Sequence, residues 1–214
     1  MTDVKRPYRS GLRQEQAART RAAVLAAAGD LFVEQGYAGT TVDQVAERAG
    51  VSKPTVFTAV GTKQQLLSAV RDVAMAGDDR PIPVAQREGL DRARAADDAR
   101  TALDHLVGHI VGLSTRYAPV HEVLRGAAAA DAGLRELWET SERQRHRGAE
   151  LMVDVLRAKG PLRPGRTAAS AADILDLYMD PSTYTRFVTG RGWSVRRYRA
   201  WLAETLADQL LPRD

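Results

Sequence analysis

Lys53, Thr55, Thr58 and Lys63 stand close together in the stretch Thr40–Leu67, TTVDQVAERAGVSKPTVFTAVGTKQQLL, and their side chains suit one kind of chemistry. An ammonium group can pair bidentately with O6 and N7 of guanine, and a threonine can touch a thymine methyl or a phosphate. Base contacts of this kind carry roughly 1–3 kcal/mol of discrimination each. Pro54 and Phe57 occupy the same segment, where the Phe57 ring can stack on a sugar-phosphate backbone or plug a core. Thr41 and Lys63 fall at the starts of predicted helices, where free N–H groups and the helix dipole favour phosphate, and the Lys63 ammonium adds charge. Arg9 and Arg13, further upstream, suit phosphates or a minor groove.

Composition supports a polyanionic partner without requiring one. The chain has 214 residues and a net charge of +4. Lys5, Arg6, Arg9, Arg13, Arg19 and Arg21 crowd its first turns against only Asp3 and Glu15. Cysteine is absent, which excludes disulfides, zinc-thiolate sites and thiol nucleophiles. No apolar run approaches membrane-spanning length and no signal-peptide pattern opens the chain, so a soluble cytoplasmic protein without membrane association is expected. No phosphate-cradling glycine loop, GxSxG or forced acid–base pair is present, and neither an enzyme nor a cofactor is expected.

The second half holds fewer signals. His105 and His109 are spaced i, i+4, but nothing completes a metal site; they are expected to line a cavity or its mouth, with no metal. Tyr117, Trp138, Met152 and Tyr178 are large adaptable side chains on helices that would surround such a pocket, although for each alone plain core packing is the simpler reading. His121 and His146 have no evident partners in sequence, and the run Glu142–Arg147 reads as a solvated helix face.

The elements that must position these groups all read as helices. Val42, Val45, Ala46 and Ala49 make one apolar face, Gly50 stops it, and Ser52 caps the next helix, with Pro54 in its first turn. Thr62 and Gln65 form a capping box for a third helix, whose apolar stripe runs through Leu66, Leu67, Val70, Val73 and Ala74. A longer helix precedes them over about 14–35, behind a basic arm at 1–12. Residues 77–83 mark the clearest break. Beyond it, helices are predicted over 98–117, from Pro119 to about 130, over 131–159 and 167–179, restarting at Pro181, and over 194–211. The expected fold is all-α: a flexible basic arm (1–12), a helix-turn-helix domain (13–75) and a larger helical domain (76–214). Ile174–Tyr178 and Tyr198–Leu206 carry more apolar surface than one buried face needs, consistent with a second face buried in a partner or with plain core helices.

The first of these domains resembles the DNA-binding domain of the tetracycline-repressor (TetR) family of bacterial regulators. The resemblance rests on Leu31-Phe32…Gly36-Tyr37, Thr41, Val45-Ala46, Ala49-Gly50-Val51-Ser52, Thr55-Val56-Phe57, Lys63 and Leu66 in fixed register. The sequence departs from the pattern at Phe57, usually Tyr, and at Ala59-Val60, usually His/Tyr-Phe; a phenol hydroxyl able to bond phosphate is missing, and Thr58 can substitute for it. The resemblance implies binding to double-stranded DNA, release by a small-molecule effector, and a homodimer formed by the last two long helices through Ile174, Tyr178, Tyr198, Leu202 and Leu206; the aromatic and aliphatic pocket candidates point to an effector of largely apolar character. The competing reading is an all-helical binding or scaffold protein that has lost specific DNA reading.

Overall fold

A computed structural model describes residues 8–77 and 88–213, all of whose regular elements are helical. By Cα proximity the chain divides into two compact units, Met1–Val73 and Ala74–Asp214. No helix among the described residues is long and apolar enough to cross a membrane.

In the first unit, α1 (Tyr8–Gly39) starts within the segment expected to be an arm; the rest of that arm, residues 1–7, lies outside the described residues. Gly36 breaks the helix with φ 75° and ψ 169°, a conformation that a residue with a Cβ adopts only under strain. The turn it starts is fixed by the buried Thr40, whose hydroxyl donates to the Gly36 carbonyl at 2.9 Å. Then follow α2 (Val42–Arg48), α3 (Lys53–Ala59) and α4 (Lys63–Ala76). Val24, Ala28, Leu31 and Phe32 of α1 form the core with Val45, Val56, Leu66 and Leu67, all almost wholly buried. Each leucine side chain removed from water in this way contributes about 1.5–3 kcal/mol before entropy is counted. The unit boundary falls inside α4, and the break at 77–83 lies, apart from Gly77, outside the described residues.

The second unit is built around α6 (Ala99–Ala128), against which α5 (Glu88–Ala95), α7 (Ala132–Arg157), α9 (Pro181–Tyr184) and α10 (Val195–Leu210) pack; α8 (Ala168–Met179) lies on α7 and α10. The expected new helix at Pro119 does not form, because α6 runs straight through that residue. A proline in a helix forfeits one bond to the carbonyl four residues back. Here that carbonyl belongs to Thr115, and both residues are exposed, so water can serve in place of the missing N–H. Pro181 does restart the chain, with Asp180 capping α9, and Thr185–Thr189 widens into a π-helical turn before α10.

Candidate nucleic-acid interface

The turn between α2 and α3 presents the candidate residues. Thr41 caps α2 in a reciprocal box with Gln44: its hydroxyl accepts from the Gln44 N–H at 3.2 Å, and its own N–H donates to Gln44 Oε1 at 2.8 Å. Gly50 carries the chain round at φ 66°. Ser52 then caps α3 through the Thr55 N–H at 3.3 Å, and the Ser52 and Thr55 hydroxyls bond each other at 2.8 Å. Lys53, Pro54, Phe57 and Thr58 make up the outer face of α3, and all are exposed. Val56 is completely buried on the opposite side, while Val60 is only half-buried.

The structure bears on one of the two roles of Phe57. At 46% exposure the ring does not plug the core; it stands on the outer face of α3. Two other candidates already have protein partners. Lys53 Nζ lies 2.9 Å from the Asp43 carboxylate of α2, and Thr58 donates its hydroxyl proton to the Pro54 carbonyl at 2.9 Å. Lys63, half-buried at the start of α4, holds its ammonium 4.3 Å from the centre of the Tyr37 ring, and partial burial lowers its pKa below the ordinary lysine value. Arg13 is exposed on α1; Arg9 falls on the first turn of the same helix, its side chain outside the described residues.

Sequence reasoning missed Arg21. Its Nη1 donates to the Ala59 carbonyl at 2.9 Å and satisfies the last turn of α3 from α1. No local spacing in the sequence links these two residues, which lie 38 positions apart.

In the second unit, two of the six expected pocket residues, Tyr117 and Trp138, come together around the buried His121. His121 is 1% exposed; its ring lies 4.8 Å from Trp138 and 5.6 Å from Tyr117. Its nitrogens sit 3.6 Å from Glu122 and 4.0 Å from Asp180, too far to hydrogen-bond, and neither has a hydrogen-bond partner among the described residues. Burial lowers the His121 pKa, against the opposing pull of Asp180 and Glu122. Beside it, Arg145 binds Glu142 at 2.5 Å and Asp176 at 2.9 Å and lies 3.9 Å from Asp180. The segment expected to be a solvated face therefore supplies a half-buried ion-pair centre. The other expected pocket residues lie elsewhere. Met152 is in the core and Tyr178 packs edge-on against Trp201 at 6.0 Å. His105 and His109 are half-buried along α6, with the His109 pKa lowered by burial and by Arg116. A groove of about 350 Å³ lined by Arg157, Pro161, Leu162, Arg166 and Thr167 contains none of them.

The proposed dimer residues need a correction. Tyr198, Leu202 and Leu206 repeat every fourth residue on α10 and are fully buried within their own chain, so they have no surface left for a partner. Their face of α10 belongs to the intramolecular core. Ile174 and Tyr178 keep part of their surface, and the large apolar side chain left open on α8 is Leu177, at 65% exposure.

Known proteins share both the motif and the architecture. Residues 24–70 match the model of "Bacterial regulatory proteins, tetR family". The HTH-type transcriptional regulator YdeS of Bacillus subtilis is 30% identical over 181 residues, 80% of each chain. The HTH-type transcriptional repressor Rv3405c of Mycobacterium tuberculosis is 38% identical over 110 residues, 48% of this chain and 56% of that one. Among solved structures, a transcriptional regulator from Saccharomonospora viridis in complex with choline superposes with a TM-score of 0.68 at 20% identity, covering 90% of this chain and 98% of that one.

Proposed function

We propose that this chain, which belongs to the tetR family of bacterial DNA-binding transcriptional regulators, acts in the cytoplasm as a homodimeric repressor that leaves its operator when a small molecule binds the second unit. The observation that carries this reading is the outer face of α3, where Lys53, Pro54, Phe57 and Thr58 are exposed beside the Gly50 turn. A seven-residue helix reaches only a few base pairs, so a twofold pair of heads reading a near-palindrome is the economical arrangement. Arg9, Arg13, Thr41 and Lys63 serve as phosphate contacts in this reading, and the α3 residues as base contacts. The repressor sign follows the name of Rv3405c.

For the effector, the Tyr117–His121–Trp138 cluster is the best-supported site. A buried imidazole with both nitrogens unbonded leaves a donor and an acceptor unused, and buried polar groups are rarely left so. Small-molecule binding by this fold is supported by the choline complex of the Saccharomonospora protein. Asp180 faces this cluster and caps α9 through the Ser182 N–H at 2.8 Å, so a ligand that captured its carboxylate would compete with the cap. Binding there would favour a conformer in which the two heads are wrongly spaced, and DNA would weaken effector binding by the same factor.

Selection of bound duplexes from a random pool, followed by titration at two salt concentrations, tests the DNA reading. A near-palindromic consensus with a steep salt dependence is expected. Equal affinity for every duplex would favour the scaffold alternative, for which the altered Phe57/Ala59/Val60 stretch is the only support.

A further inference from the structure

We propose that each reading head selects thymine through its C5-methyl group, with Pro54, Phe57 and Thr58 as the specificity-determining side chains. The inference rests on the DNA-binding reading above and names what that surface recognises. The three residues stand at i, i+3 and i+4 on α3, which puts them side by side on one face. All three are exposed, and Phe57 leaves 46% of a large apolar residue in water on the helix whose outer face meets DNA. Isolated apolar residues on a protein surface need no explanation, but a proline ring, a phenyl ring and a threonine grouped on a reading face do.

The polar groups on this face also disfavour guanine. The major-groove edge of guanine offers only acceptors, N7 and O6, and must be met by donors. The Thr58 proton is donated to Pro54, which leaves its oxygen to serve as an acceptor. The Lys53 ammonium lies 2.9 Å from Asp43, whose negative charge would sit beside any guanine that Lys53 approached. An A·T pair fits both constraints, since it presents the thymine methyl to the apolar group and the adenine N6 amino donor to the Thr58 oxygen. In place of the tyrosine usual at this position, Phe57 has no hydroxyl that would have to be desolvated against that methyl.

The test uses the full-length protein and the duplex selected above. Each half-site thymine is replaced in turn by uracil, which removes the methyl and leaves every hydrogen-bonding group in place. At one or two positions per half-site, uracil should weaken binding about fourfold, the factor expected for one buried methyl. F57A should still bind, with a melting curve like the parent's because the ring is exposed, and it should bind uracil and thymine duplexes equally at those positions. T58V, which keeps a methyl and loses the acceptor, should retain uracil sensitivity. Three results would overturn the proposal: a half-site consensus lacking thymine, uracil tolerated at every position by the parent, or undiminished uracil sensitivity in both F57A and P54A. In each of these cases sequence-specific binding survives, and with it the regulator reading. Absence of any preferred duplex would remove both.

Discussion

Replacing Leu177 and Leu202 should separate the dimer interface from the protomer core, because the two leucines occupy opposite situations. Leu202 is fully buried on α10, and Leu202→Ala should cost about 2–5 kcal/mol, the usual range for emptying a leucine site in a core. For a chain of this size that lowers Tm by roughly 5–20 °C. Leu177 is 65% exposed on α8. Full burial of a leucine is worth about 1.5–3 kcal/mol, so covering the exposed part contributes about 1–2 kcal/mol per protomer. A twofold axis counts it twice. Loss of about 2–4 kcal/mol raises the dimer dissociation constant about 30- to 1,000-fold, and Leu177→Glu adds the desolvation of a charge to that. Sedimentation equilibrium over a wide concentration range, with thermal melts in parallel, reads both quantities. Leu177→Glu should sediment as a monomer, and Leu202→Ala should melt early. A Leu177→Glu protein with the parent's dissociation constant would put the interface on another face. A Leu202→Ala protein that dissociates without melting earlier would show that α10 does turn this side chain toward a partner.

Four further outcomes follow from the same geometry. Lys63→Ala and Arg13→Ala should weaken binding to operator and scrambled duplexes alike and flatten the salt slope, because phosphate contacts position without specifying. Arg21→Ala should loosen the end of α3 and lose operator affinity more than scrambled affinity, with a cost of about 1.5–3 kcal/mol for a charged hydrogen bond to the Ala59 carbonyl; equal losses on both duplexes would make Arg21 a phosphate contact instead. Ser52→Ala should remove about 1 kcal/mol of stability by uncapping α3, measured in urea titrations. His121 and His109 both have pKa values lowered by folding, so on acidification the unfolded chain takes up their protons before the folded one does, and stability falls as pH drops below the ordinary histidine value of 6.5. His121→Phe should therefore flatten the loss between about pH 7 and pH 5; an unchanged acid limb would mean that folding leaves the imidazole pKa where it stands in the unfolded chain. The lowered Asp180 pKa acts only at more acidic pH, below the ordinary carboxylate value of 3.8, and does not overlap that window.

The reading head was legible in the sequence because each of its parts is a local event. Capping by Thr41, Ser52 and Thr62, the left-handed Gly50 and the Val45/Ala46 face each depend on residues a few positions apart, and the described helices start within a residue or two of where those signals put them. The break expected at Pro119 failed for a reason that lies outside local sequence: what a helical proline costs depends on whether the orphaned carbonyl reaches water, and exposure is a tertiary property. The second unit was hard to read for the same reason. An apolar repeat such as Tyr198, Leu202 and Leu206 identifies a buried face, yet it carries no information on whether the covering surface comes from the same chain or from another. His121 shows the limit most clearly. Its partners are Tyr117 one turn back, Trp138 on the next helix and Asp180 at the start of a third, and only the packing of α6, α7 and α9 brings them together. Local periodicity placed the exposed face of α3, whereas a cluster assembled from three helices left no spacing in the sequence to find.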